Sequence, residues 1–229
     1  RDLHSFPTRR SSDLHAFMTL LKSSSLKKDF DEGSRLHVEI LKRGLLENNP
    51  YIVSALISMY CKCNAMPKAH LLHHELPSQS IVTWNALISG YVQQGQDHTA
   101  FKCFEDMRKE GFSPNAVTFT CILKACANTR SIHKGRKIHD EIVNKGLLDR
   151  NIVLGTALID MYGKCGMLIE AREVFDTMLV QDVVFWSALI GGLAYVGELR
   201  LTFNLFEEML RKGIQPDKIV LLSILTVCT

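Results

Sequence analysis

The chain has 229 residues, with 27 Lys and Arg against 24 Asp and Glu, a net charge of +3 and 46% hydrophobic residues. This composition excludes a disordered chain, and 14 Gly with 6 Pro exclude collagen and low-complexity linkers. The modest charge excludes a histone-like or polybasic protein but allows a nucleic-acid binder whose basic residues lie on one face. The longest apolar run, Val183 to Gly197, contains Ser187 and is short for a membrane span. Seven cysteines are read as free thiols in a reducing compartment.

In chain order, residues 1–14 come first and show neither helical nor strand periodicity. Arg- and Ser-rich segments suggest transit peptides. This string, RDLHSFPTRRSSDL, instead resembles the conceptual translation of a common sequencing adapter, so it is set aside as a non-native segment and the array is taken to start at 15.

From residue 15 onward the chain repeats itself at a step of 102 residues. Comparing 15–116 with 117–218 gives 33 identities in 102 positions without a gap. Phe17 meets Phe119, Gly33 meets Gly135, and His37 meets His139. ALISMYCKC meets ALIDMYGKC, and Trp84 meets Trp186.

Each block divides into helical hairpins. Val53, Leu56, Ile57 and Tyr60 have the i, i+3, i+4, i+7 spacing of one buried helix face. The same stripe recurs as Trp84/Leu87/Ile88/Tyr91, Phe119/Ile122/Leu123/Cys126, Gly155/Leu158/Ile159/Tyr162 and Trp186/Leu189/Ile190/Leu193. A second helix follows each first one, with stripes Ala100/Cys103/Phe104/Met107, Gly135/Ile138/His139/Ile142 and Ala171/Val174/Phe175/Met178. Gly95 and Gly197 mark first-helix ends, and Gly44, Gly111, Gly146 and Gly213 mark second-helix ends, where glycine enters the left-handed cap without steric cost. No segment sustains an alternation of period 2, so no sheet is expected. Six hairpins fit between residues 15 and 217, and 218–229 begins a seventh, as expected of an array cut at both ends. The fold class is all-α: a right-handed superhelical α-solenoid of antiparallel helix-turn-helix repeats, in which stacking buries faces that no hairpin buries alone.

These hairpins resemble pentatricopeptide repeats of the plant PLS type, in which P, L and S variants alternate. The resemblance rests on VTWNALISGYVQQG, FTCILKACAN, GTALIDMYGKCG and REVFDTM. Residues 15–49 resemble an L repeat, 50–80 S, 81–115 P, 116–151 L, 152–182 S, 183–217 P and 218–229 a partial L. Tetratricopeptide repeats, the nearest confusion, keep a constant step and a different aromatic pattern.

The resemblance implies sequence-specific binding of single-stranded RNA, one base per repeat, read by the fifth and last residues. Those pairs are Ser54 with Ser80, Asn85 with Asn115, Thr120 with Asn151, Thr156 with Asp182 and Ser187 with Asp217. Val82, Val153 and Val184 would pack on the bases; Val82 and Asn85, three apart on one helix, share a side. Asn85/Asn115 implies a pyrimidine, Thr156/Asp182 and Ser187/Asp217 imply G, and Thr120/Asn151 implies A, giving 5′-N-Y-(A)-G-G-3′. Asn115, Asn151, Asp182 and Asp217 also precede helices, where they are good N-caps, and both roles can coexist. Lys109, Lys134, Arg136, Lys137, Lys145, Arg172, Arg211 and Lys212 recur on second helices, as phosphate contacts or as a solvated outer face.

Catalytic chemistry is not expected. His37-Val38-Glu39 and His139-Asp140-Glu141 match the start of a zinc-deaminase signature, but no P-C-x-x-C follows, and each His falls on a packing stripe at the place of Phe104. Cys61 and Cys63 make no zinc site, and His73–His74 is an isolated pair. No catalytic residue, metal site or cofactor is assigned. The resemblance further implies the recognition part of an organellar C-to-U RNA editing factor, in a mitochondrion or chloroplast. Its partners would be single-stranded organellar RNA and editing cofactor proteins or a deaminase in trans, with no membrane or small-molecule substrate. The alternatives are a protein-interaction scaffold and an RNA stability or splicing factor.

Overall fold

The structure, a computed structural model, describes residues 9–46, 49–75, 79–149, 151–179 and 181–228, with side chains from Asp13 onward. These residues form α-helices and no strand. The helices are α1 (Arg9–Lys27), α2 (Phe30–Lys42), α3 (Pro50–Lys62), α4 (Met66–Glu75), α5 (Ile81–Gln93) and α6 (Asp97–Lys109). They continue as α7 (Ala116–Asn128), α8 (Ile132–Asn144), α9 (Ile152–Lys164), α10 (Leu168–Thr177), α11 (Val183–Val196), α12 (Leu199–Arg211) and α13 (Lys218–Val227). Helices α3, α5, α7, α9, α11 and α13 each open on the first residue of a repeat in the frame above.

The chain divides into two compact units, 1–114 and 115–229. In the first, α3 packs between α1 and α5, while α2 and α4 each pack against their own hairpin partner and the next first helix. In the second, α9 packs between α7 and α11, and α11 continues onto α13. There α8, α10 and α12 bridge successive first helices. Each unit thus has a row of first helices and a second layer behind it.

Buried stripes hold the rows together. Trp84, Phe119, Phe175, Phe185 and Trp186 are fully buried, each worth roughly 2–3 kcal/mol in removed apolar surface. The expected first-helix stripes are buried throughout. Burial also pushes the Cys61 and Cys103 thiols up to about 12, which leaves them neutral packing groups.

Side-chain caps start the first helices. Asn49, Ser80, Asn115, Asn151, Asp182 and Asp217 each accept a hydrogen bond from the backbone N–H three residues on. Glycines at positive φ stop the helices where expected. Three turns inside hairpins do without glycine: Lys28, Asn64 and Arg130 take left-handed φ of 55°, 59° and 50°, while Gly166 holds the equivalent of Asn64 at 74°. Lys28 and Arg130 are repeat equivalents, so the hairpin geometry outweighs a cost of about 1 kcal/mol at each.

Two histidine expectations meet different surroundings. His37 and His139 are half-buried, and each Nδ1 lies against a tyrosine hydroxyl: Tyr60 at 2.7 Å and Tyr162 at 2.8 Å. His73 is fully buried, with its ring edge-on to Trp84. Its repeat equivalent is Phe175, so an imidazole occupies a phenyl site.

The expected boundary between residues 14 and 15 falls inside α1. Asp13 pairs with Arg43, the C-cap of α2, at 3.2 Å, and residues 1–8 of the adapter-like segment lie outside the described residues.

Candidate functional site

An α-helix returns to the same side after 3, 7 and 11 residues. The second, fifth, ninth and thirteenth residues of each first helix therefore share one face. The buried stripe, at the fourth, seventh, eighth and eleventh, occupies another. The shared face therefore lies apart from the packing stripe on each first helix.

At its second position stand Tyr51, Val117, Val153, Val184 and Ile219, each more than half exposed, and Val82, half-buried. Exposed apolar side chains scattered singly mean little. Four of them, Val117, Val153, Val184 and Ile219, form a row of apolar platforms in the second unit, and Tyr51 holds the same register in the first. Of these, Tyr51, Val117 and Ile219 were not singled out from the sequence; the repeat frame that gave Val82, Val153 and Val184 also reaches them.

At the fifth position, hydroxyls bend back onto their own helix. Ser54 donates to the Tyr51 carbonyl at 2.8 Å, Thr120 to Ala116 at 2.8 Å and Ser187 to Val183 at 2.6 Å. Each has spent its proton and keeps an acceptor lone pair. Thr156 differs: its Oγ1 is shielded and has no hydrogen-bond partner. Asn85 and Ser187 are 8% and 5% exposed, so only an edge of each reaches the surface.

The last-position residues are the N-caps of the following first helices. Asn115 Oδ1 accepts from Thr118 N at 3.1 Å, Asn151 from Leu154 at 3.1 Å, Asp182 from Phe185 at 3.0 Å and Asp217 from Val220 at 2.9 Å. Ser80 Oγ accepts from Thr83 N at 3.3 Å. Capping is therefore a demonstrated role of all five. It also orients them. A capping carboxamide turns its oxygen to the helix and its NH2 away, whereas a capping carboxylate keeps a second acceptor oxygen outward. Thr156 and Asp182 lie toward the N-terminal ends of the neighbouring helices α9 and α11, as Ser187 and Asp217 do on α11 and α13. Asn85 falls in the first unit, and Asn115 opens the second.

Lysines complete the face. Lys124 occupies the ninth position of its L repeat and Lys22 is its equivalent 102 residues earlier, while Lys62 and Lys164 take the thirteenth of S repeats. Lys22, Lys62 and Lys124 are exposed, and Lys164 pairs with Asp160 at 2.9 Å. In the first unit, a cavity of about 480 Å³ lies between α1 and α3, lined by Met18, Thr19, Lys22, Ala55, Ser58 and Lys62 among others. These lysines were missed because charge was counted along second helices; the helical face would have found them.

Many second-helix cations are engaged elsewhere. Lys109 pairs with Asp106, Lys145 with Glu141, and Arg136 with Glu170 across to α10. Arg172 grips Asp176 and Glu208, bridging α10 and α12, and its hydrogen bonds hold the Glu208 carboxyl below its ordinary range. Lys212 reaches Glu208 and lies over Trp186. This pattern is a solvated, internally paired face. Among the described residues, no group of three or more His, Cys, Asp or Glu side chains gathers as a metal site.

Comparison with known proteins bears on this geometry. The PPR repeat family model matches residues 79–128 and 181–228, and a PPR repeat model matches 51–81, 117–147 and 156–183. An Arabidopsis thaliana pentatricopeptide repeat-containing protein is 39% identical over 194 residues, covering 85% of this chain and 24% of the relative. A second, named chloroplastic, is 39% identical over 196 residues, covering 86% and 31%. A third, named mitochondrial, is 34% identical over 216 residues, covering 94% and 21%. The chain thus spans less than a third of each of these relatives. The crystal structure of the maize pentatricopeptide repeat protein PPR10 is similar over 97% of this chain and 39% of its own, with a TM-score of 0.57 at 16% identity, a likeness of fold.

Proposed function

The chain belongs to the pentatricopeptide-repeat family, and on that premise we propose that it binds single-stranded RNA along the shared face of its first helices. The observation that carries this reading is the register itself. Exposed apolar residues at the second position, polar residues at the fifth and lysines at the ninth and thirteenth recur on one face. Unpaired bases offer π-faces to apolar side chains and Watson–Crick edges to polar ones. Lysines on the same face meet the phosphates that such bases carry.

The fifth and last residues read the base. A last-position Asn presents a donor and suits bases with a ring-nitrogen acceptor, A and C. A last-position Asp presents an acceptor and suits bases with a ring N–H, G and U. On this logic the pairs ending in Asp182 and Asp217 favour G, and those ending in Asn115 and Asn151 favour a pyrimidine, C above U, and A.

The biological setting we infer is an organellar C-to-U editing factor, with this array as its recognition part and the deaminase downstream or in trans. The PLS-like alternation of repeats and the relatives named chloroplastic and mitochondrial support that setting. An RNA stability or splicing factor would use the same face with a different outcome.

A protein scaffold is the second reading. Its support is an apolar groove of about 480 Å³ between α10 and α12, lined by Leu168, Ile169, Leu189, Leu193, Leu201 and Leu205. A mobility-shift titration separates the two readings. RNA binding predicts a shift with single-stranded RNA at micromolar protein that weakens with added salt. No salt-sensitive shift would favour the scaffold.

A further inference from the structure

Among the last-position residues, Ser80 and Asn115 are each closed into a capping box by a buried threonine three residues on, and of the two only Asn115 is an amide. Its Oδ1 accepts the Thr118 backbone N–H at 3.1 Å and also faces the Thr118 hydroxyl at 3.1 Å. The Asn115 backbone N–H donates to the same Thr118 Oγ1 at 3.2 Å. Thr118 is fully buried, so its hydroxyl has a fixed place beneath the carboxamide. The other capping carboxamides, Asn49 and Asn151, have Ile52 and Leu154 at the corresponding place and accept the backbone N–H there, at 3.3 Å and 3.1 Å, with no hydroxyl beneath. Asp182 and Asp217 are followed by Phe185 and Val220, which carry no hydroxyl.

The chemistry of the two side chains explains why this matters for an amide. A carboxylate presents oxygen outward whichever way it turns. A carboxamide presents NH2 in one orientation and C=O in the other, and the two prefer opposite bases. A hydroxyl donor beneath Oδ1 adds a second bond that only the oxygen accepts.

We propose that Thr118 is a positioning residue for base selection by Asn115, because its hydroxyl holds the Asn115 carboxamide oxygen toward the helix. This rests on the reading of Asn115 as a base-reading residue. Asn115 followed by Thr discriminates more sharply than Asn151 followed by Leu.

The test uses the whole 229-residue chain and two single-stranded RNA oligonucleotides identical except for C or U at the base assigned to residues 81–115. Thr118→Val keeps the shape and removes the hydroxyl. The expected result is a fall of about five-fold in the C-over-U preference, the worth of one ordinary hydrogen bond. Thr118→Ser restores the preference. Asn115→Asp provides the control, because it reverses the C-over-U preference if Asn115 reads the base at all. An unchanged ratio in Thr118→Val alongside reversal in Asn115→Asp overturns the positioning role alone. So does an equal loss of affinity for both oligonucleotides in Thr118→Val and Thr118→Ser. No response of the ratio to Asn115→Asp overturns the base-reading premise itself.

Discussion

His73 stands edge-on to Trp84 with ring centroids 4.2 Å apart, and 102 residues later Phe175 stands edge-on to Trp186 at 4.7 Å. One duplicated packing site has therefore been filled by an imidazole in one copy and a phenyl in the other. Neither ring nitrogen of His73 has a hydrogen-bond partner. Burial, with smaller contributions from His74 and His70, pulls its pKa from 6.5 down to about 4.

That shift ties stability to pH. The unfolded chain takes up the His73 proton first, so stability is fully present above pH 6.5 and drains away as pH falls toward about 4. The loss is on the order of 3 kcal/mol once pH has fallen below both values, and burial of His37, His70 and His139 adds smaller terms of the same sign. His73→Phe should remove most of this slope in urea titrations between pH 7 and pH 4.5. It should also add about 1 kcal/mol at pH 7 by deleting unpartnered polar atoms. A slope unchanged by His73→Phe would refute the assignment.

The two units solve a second packing site in opposite ways. Cys61 and Gly163 are repeat equivalents, as are Gly90 and Gly192. In the first unit the Cys61 sulfur fills the space facing Gly90; in the second, a Cβ on Gly163 would come within 2.8 Å of the Gly192 Cα. Gly90→Ala alone should cost about 1–3 kcal/mol in overpacking, and Cys61→Gly alongside it should recover much of that. Gly163→Ala should cost as much with no single side-chain rescue, because it meets backbone. Thermal melts of these variants give the comparison.

The repeated imidazole–tyrosine pair makes a third expectation. Tyr162→Phe deletes the hydroxyl against His139 Nδ1 and should cost about 1 kcal/mol. In a double-mutant cycle with His139→Phe, which places there the side chain that Phe104 supplies in the P repeat, the losses should be less than additive. Strict additivity would show that the pair contributes no coupling.

Salt dependence distinguishes the two basic faces. If Lys62 and Lys124 touch phosphate, changing either to Ala should reduce the slope of log K against log salt by about 0.7. Arg136→Ala should leave the slope unchanged, because Arg136 is engaged with Glu170 on the second layer. Equal effects from both sets would place the RNA elsewhere.

Much of the fold was readable because a duplicated sequence states each packing role twice. Trp84 and Trp186, Leu87 and Leu189, and Ile88 and Ile190 announce one stripe in two copies, and all are buried. What local pattern did not reveal depends on tertiary neighbours. Nothing near His73 shows that its equivalent is aromatic until the copies are superposed. Lys28 and Arg130 turn left-handed without glycine because the hairpin they close holds them there. The engagement of Arg136 and Arg172 depends on carboxylates 34 and 36 residues away. At the candidate site, the caps were foreseen, and the hydroxyl of Thr118 beneath Asn115 was not, since a buried threonine on a helix reads as packing.

The most direct test of RNA reading is Asp182→Asn. Asn caps helices as well as Asp, so α11 keeps its start and the fold is not the variable. Fluorescence anisotropy with RNA oligonucleotides carrying G or A at the base assigned to residues 152–182 measures the outcome. The parent chain should prefer G, and the variant should move its preference to A. Equal binding of both oligonucleotides by both proteins would contradict base reading at this position.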